Sequence, residues 1–167
     1  MKRSLSVAVG ALALAGAVVL AVPALSSGSR DGRKVLDAAV LAPVTGPYVG
    51  TANPIRGVNG GGLPWRLASG DIDLRADGRL HIEVDGLVFA AGPNAGTNTF
   101  ASFKAIVSCQ TTDNGAAAVS NISTAPFPAS PAGDGETDTT VSLPSPCVAP
   151  IVFVTSPTGA WFAATGA

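Results

Sequence analysis

Charge is scarce in this chain. Asp, Glu, Lys and Arg together make up 13% of its 167 residues, and no lysine or arginine follows Lys104. Binding nucleic acid takes a concentrated basic surface that neutralises phosphates, so no nucleic-acid partner is expected. Histidine and methionine occur once each, as His81 and Met1, too few for a copper-handling site. One His and two distant Cys match no zinc spacing. No Gly-x-Ser-x-Gly elbow presents a serine. The glycine-dense run Gly57–Gly62 is followed by Leu63-Pro64, without the Gly-Lys-Ser/Thr ending of a phosphate loop. Sustained helical periodicity and internal repeats are missing too, and no cofactor motif is present.

What is present is glycine, proline and short apolar runs. Hydrophobic residues make up 47% of the chain, with 20 Gly and 13 Pro. That composition predicts an all-β domain rich in turns, and disorder is excluded because hydrophobicity is high and net charge only −1. Eight or nine short strands at regular spacing predict an antiparallel β-sandwich, with a small closed β-barrel as the alternative.

Residues 1–24 read as a secretory signal peptide. Lys2 and Arg3 give a basic start, Val7–Val22 is apolar, and Val22-Pro23-Ala24 is a small-residue cleavage site. A secreted, extracellular protein with no membrane anchor after cleavage is therefore expected. Residues 25–34, with Ser26-Ser27-Gly28-Ser29, read as a flexible linker, and 35–167 as one β-sandwich domain. In an exported chain Cys109 and Cys147 read as a disulfide.

The clearest local signal is a hairpin. Ile72 and Leu74 alternate with Asp71, Asp73 and Arg75; after Ala76-Asp77-Gly78, Leu80, Ile82 and Val84 alternate with Arg79, His81, Glu83 and Asp85. A two-residue Asp77-Gly78 loop would set Leu74 against His81 and mix the faces. A three-residue loop pairs Leu74 with Leu80 and Ile72 with Ile82, so burial selects it. Gly78 then takes the left-handed position. The same register opposes Asp71 and Glu83, a repulsive pair that calls for water or a cation.

Along the rest of the chain, strands are expected at 35–41, 101–109, 116–122, 139–143, 151–154 and 161–164, with a short one at Tyr48-Val49. The run Asp134-Gly135-Glu136-Thr137-Asp138 reads as an acidic turn. Its alternating carboxylates resemble a calcium loop in spacing, but the sixth-position Gly and twelfth-position Glu are missing.

These residues support a non-enzymatic extracellular binding or structural module with a polysaccharide, cell-wall or protein ligand. The expected binding surface combines Trp65, Phe89 and Trp161 with the Gly57–Gly62 loop. One alternative is a small hydrolase using Asp71, Asp73, His81 and Glu83. Another is a calcium-stabilised protein whose metal ligands come from Asp71, Glu83, Asp134, Glu136 and Asp138.

Overall fold

The computed structural model describes residues 32–166. The expected signal peptide and all but the last three residues of the expected linker lie outside the described residues. Lys34, the last of those three, already belongs to the first strand.

Twelve strands are present among the described residues. They are β1 (Lys34–Ala38), β2 (Leu41–Pro43), β3 (Trp65–Arg66), β4 (Ser69–Arg75), β5 (Arg79–Asp85), β6 (Val88–Phe89), β7 (Ser102–Asp113), β8 (Ala116–Ser123), β9 (Phe127–Pro128), β10 (Gly135–Thr140), β11 (Val148–Thr155) and β12 (Trp161–Thr165). The larger number comes from two- and three-residue strands that carry no alternation to read. Tyr48 sits in a 3-10 turn, Gly46–Tyr48, rather than in a strand.

The strands form two main antiparallel sheets, ordered β1-β4-β5-β10 and β2-β12-β11-β7-β8, with β3 and β6 as a separate pair. Neither sheet closes on itself, so the architecture is a sandwich and not a barrel. The smaller sheet turns Ile72, Leu74, Leu80, Ile82 and Val84 inward, all at most 1% exposed. Against them lie Phe103, Ala105, Val107 and Cys109 of β7 and Val152 and Val154 of β11, in one continuous core.

The larger sheet is covered on both faces. Ile106 and Phe153 pair on the face opposite Val107 and Val152 and are buried as well. The cover comes from the loop between β2 and β3. Gly60 bridges to Trp161, the Gly61 N–H donates to the Trp161 carbonyl at 2.8 Å, and Arg56 donates to the Ser108 carbonyl at 3.0 Å. Double burial explains why Ile151–Val154 is a continuous apolar run.

The hairpin has the expected register, with Ile72 paired to Ile82, Leu74 to Leu80 and Asp71 to Glu83. Gly78 has φ +88°. Gly86, at φ +63°, ends β5, and the chain departs from the smaller sheet to form β6 against β3.

Cys109 and Cys147 are joined, at a sequence separation of 38. Because this bond closes a long loop of the unfolded chain, Cys147→Ser is expected to cost about 4 kcal/mol in a urea melt. A loss below roughly 1 kcal/mol would show that the unfolded chain stays compact without it.

Candidate functional site

The outer face of the smaller sheet gathers most of the charge. β10 is responsible, and its position was not expected. The run 134–138 is no turn: Gly135–Thr140 is the edge strand beside β5, with Glu136 paired to Glu83 and Asp138 to His81. The expected strand 139–143 is displaced accordingly, and Val141 leaves the ladder as a buried residue. Two acidic groups far apart in sequence thus become neighbours.

Cross-strand pairing sets the charges in rows. One row is Asp71, Glu83 and Glu136; the next is Asp73, His81 and Asp138. Asp37 extends the second row on β1. Neighbouring Cβ atoms in such a row lie about 5 Å apart. A third row, at the hairpin end, is cationic and includes Arg79.

The cations are committed to particular acids. Lys34 reaches Asp73 at 2.7 Å and Asp37 at 3.0 Å, Arg75 stands 3.6 Å from Asp73, and Arg79 holds Asp77 at 2.7 Å. The hydrogen bond to Asp73, then that to Asp37, raises the Lys34 ammonium above its ordinary range. At Asp77 burial acts to raise the carboxyl, but the Arg79 backbone N–H and guanidinium together hold it below the usual range.

A carboxyl depressed by folding contributes stability that is present above its unfolded pKa and lost as pH falls through the folded value. Asp77→Asn is therefore expected to flatten the acid limb of the stability profile below about pH 4. An acid limb unchanged in the variant would show that Arg79 gives Asp77 no advantage over solvent.

No cation among the described residues pairs with Asp71, Glu83 or Glu136. Opposed like charges destabilise a sheet by several tenths of a kcal/mol. Glu83→Gln, which breaks the row at its middle, is expected to raise stability by about 0.5 kcal/mol at low salt. The gain should vanish at 1 M salt, where the screening length is near 3 Å. A gain that salt does not remove would point to packing instead of charge.

His81 lies in the second row, half-buried, its Nδ1 3.0 Å from Asp138 Oδ1. With Glu136 it completes a group in which one ligand atom from each of His81, Glu136 and Asp138 lies within 4.8 Å of the others. A wide depression of about 520 Å³ opens above Asp71, Asp73, His81 and Asp138. Its lining holds no serine or cysteine; the hydroxyls there belong to Thr139 and Thr140. Asp134 does not join these rows. Its carboxylate accepts from the Ser130 hydroxyl at 3.0 Å and the Gly86 N–H at 3.1 Å, closing the turn that leads into β10.

Of the three aromatic residues of the expected surface, Trp65 and Trp161 are buried and Phe89 is half-buried. Trp65 is 1% exposed and Trp161 3%. Trp65 stacks on Phe162 at 3.8 Å and meets Phe89 at 4.3 Å, while Trp161 packs 6.0 Å from Phe153. The nine aromatic rings of the chain fall into two contact groups, Trp65 with Phe89, Phe100, Phe103, Phe127 and Phe162, and Trp161 with Tyr48 and Phe153. Trp65 and Trp161, covered on their faces, have no face left for a sugar, whereas Tyr48 is 45% exposed. The Gly57–Gly62 loop is also part of the packing, with Gly60 and Gly61 buried.

No protein-family model, curated protein or solved structure matches this chain.

Proposed function

We propose that the protein is an exported β-sandwich module that binds its ligand through the charged outer face of the smaller sheet and does not transform it. The observation that carries this reading is the row Asp71, Glu83 and Glu136, which no cation among the described residues pairs with. Three carboxylates held side by side, with no counter-charge among the described residues, form a site for positive charge, and the row spans three strands of the sheet. The ligand chemistry that fits is a polymer or protein segment presenting amines. The depression on this face is wide and open, and a hydrolase would need its carboxylates opposed across a cleft that excludes water. Export is supported by the basic-then-apolar start of the chain and by the disulfide.

The test is retention of the purified protein on insoluble polysaccharides, on isolated cell wall and on a basic protein matrix, at low salt, with calcium or with chelator. Retention that falls roughly tenfold in the Asp71→Asn/Glu83→Gln/Glu136→Gln variant, worth about 1.4 kcal/mol, supports the reading. Retention indifferent to those three substitutions, or absent from every matrix, removes it.

A second reading rests on the grouping of His81, Glu136 and Asp138 within 4.8 Å. Imidazole with two carboxylates suits a divalent transition ion better than calcium, which prefers six or more oxygens. A melting temperature that rises with zinc or manganese, and no longer does so in His81→Gln, would establish it. A melt unmoved by either ion would leave the carboxylate row to act alone.

A further inference from the structure

The larger sheet ends on β8, and this edge is built unlike the others. β10 closes the smaller sheet with Glu136 and Asp138, and β1 closes its opposite side with Lys34 and Asp37. β2, at the far end of the larger sheet, has three residues and one is Pro43. Charge, shortness and proline are the usual defences against strand addition. β8 has none of them. Its eight residues, AAAVSNIS, include no charge, no proline and no glycine.

Half of the β8 main chain has no protein partner among the described residues. Just past the strand, the Thr124 N–H donates to the Ala105 carbonyl at 2.9 Å, continuing the register in which Ser123 faces Ile106. Antiparallel ladders alternate, so the even-numbered residues of β8 direct their N–H and C=O groups to β7. The N–H and C=O groups of Ala117, Val119, Asn121 and Ser123 therefore point out of the sheet. Among the described residues no main-chain group bonds to them. The loop carrying Arg56 takes only the Asn121 side chain, whose Nδ2 donates to the Arg56 carbonyl at 2.9 Å.

We propose that β8 is a self-association edge, at which two copies of this chain pair β8 with β8, antiparallel, across a two-fold axis at Ser120. A row of alternating N–H and C=O groups at ladder spacing is satisfied in full only by another extended backbone. The second copy is the occupant because the strand is neutral and self-complementary. With the axis at Ser120, Val119 falls opposite Asn121 of the second copy and Ala117 opposite Ser123 of the second copy. The outward-pointing residues of each copy thus meet in hydrogen-bonded pairs, and no charges oppose. The same operation on β10 would press the carboxylates of one copy against those of the other.

Apolar surface continues inward from the edge. Val119, Gln110 and Val148 form one cross-strand row, with Val119 49% and Val148 52% exposed. They line, with Pro146, a depression of about 510 Å³. Pairing continues this row into the second copy's Asn121 and Ser108, joining the two larger sheets into one. The interface is isologous and closed, so it stops at two copies.

Sedimentation equilibrium on the purified protein tests this over a concentration series reaching about 0.5 mM. A mass that doubles with concentration is expected. Val119→Pro is the decisive variant: the Val119 N–H points away from β7, so proline removes an edge donor and leaves the internal ladder intact. It should keep the wild-type far-UV circular dichroism and sediment as a monomer. If that variant does not fold, Val119→Lys replaces it. Two lysines then face each other diagonally across the axis, and dimerisation should weaken at least tenfold at low salt and recover at high salt. A monomeric wild type across the series overturns the proposal. So does a dimer that survives both substitutions, since that dimer uses another surface.

Discussion

Gly78→Val is expected to lower the melting temperature by roughly 10 °C, the equivalent of a loss near 3 kcal/mol in a domain of this size. Two costs add. At φ +88° any residue with a Cβ is strained, by about 1–2 kcal/mol. A Cβ at Gly78 would also run into the Val141 carbonyl. That neighbour is not free to move, because the Val141 N–H donates to the Gly78 carbonyl at 2.9 Å and Val141 is 6% exposed. Gly115 separates the two costs. It has φ +82° in the β7–β8 turn and open space where its Cβ would stand, so Gly115→Ala should cost only the conformational part, about 1 kcal/mol. Gly78→Ala should cost clearly more than that. If urea melts give the two alanine variants equal losses, the contact between the hairpin turn and the end of β10 does not hold in solution.

That contact marks the limit of what could be read from the sequence. The β4–β5 hairpin was legible because its inward residues, Ile72, Leu74, Leu80, Ile82 and Val84, are apolar and its outward residues charged. The period of two and the requirement for burial then select one register. The inward positions of β10 are Gly135, Thr137 and Thr139, which carry no apolar alternation. They suffice because little space is left above them: a Cβ on Gly135 would already stand 3.2 Å from the Phe103 ring and 3.3 Å from Phe127. Small inward residues under two aromatic rings look, in sequence, like a turn. The candidate site was therefore legible in halves. The hairpin register pairs Asp71 with Glu83, and the run 134–138 marks Glu136 and Asp138 as an acidic group, but only the tertiary placement of β10 joins them.

Glycine density misled in a related way. Gly57–Gly62 suggests a mobile or tightly turned loop, and the expected binding surface includes it. In the fold, a Cβ on Gly60 would overlap the Tyr48 carbonyl, and one on Gly61 would sit 3.1 Å from both Trp65 Nε1 and the Phe162 ring. Glycine is used there because main chain passes directly over aromatic rings. Such close approach is a long-range property that a local reading cannot distinguish from flexibility.

Trp65→Ala carries the second large effect, a loss of about 4 kcal/mol, within the range for removing a fully buried tryptophan. The indole is 1% exposed and lies at the hub of its ring group, 3.8 Å from Phe162, 4.3 Å from Phe89 and 6.1 Å from Phe100. Its strand is only two residues long and pairs with Val88–Phe89, so little backbone bonding would hold β3 and β6 in place without the ring contacts. Near-UV circular dichroism should lose most of its aromatic signal together with the stability. Trp65→Phe keeps part of the stack and should recover about half the loss. The same pair of variants separates packing from recognition. With Trp65 in the core, ligand retention per folded molecule should be unchanged in Trp65→Phe, whereas Glu83→Gln, which leaves the core untouched, should weaken retention. The opposite pattern, a stable Trp65→Ala protein that has lost its ligand, would return the binding site to the aromatic residues and away from the carboxylate row.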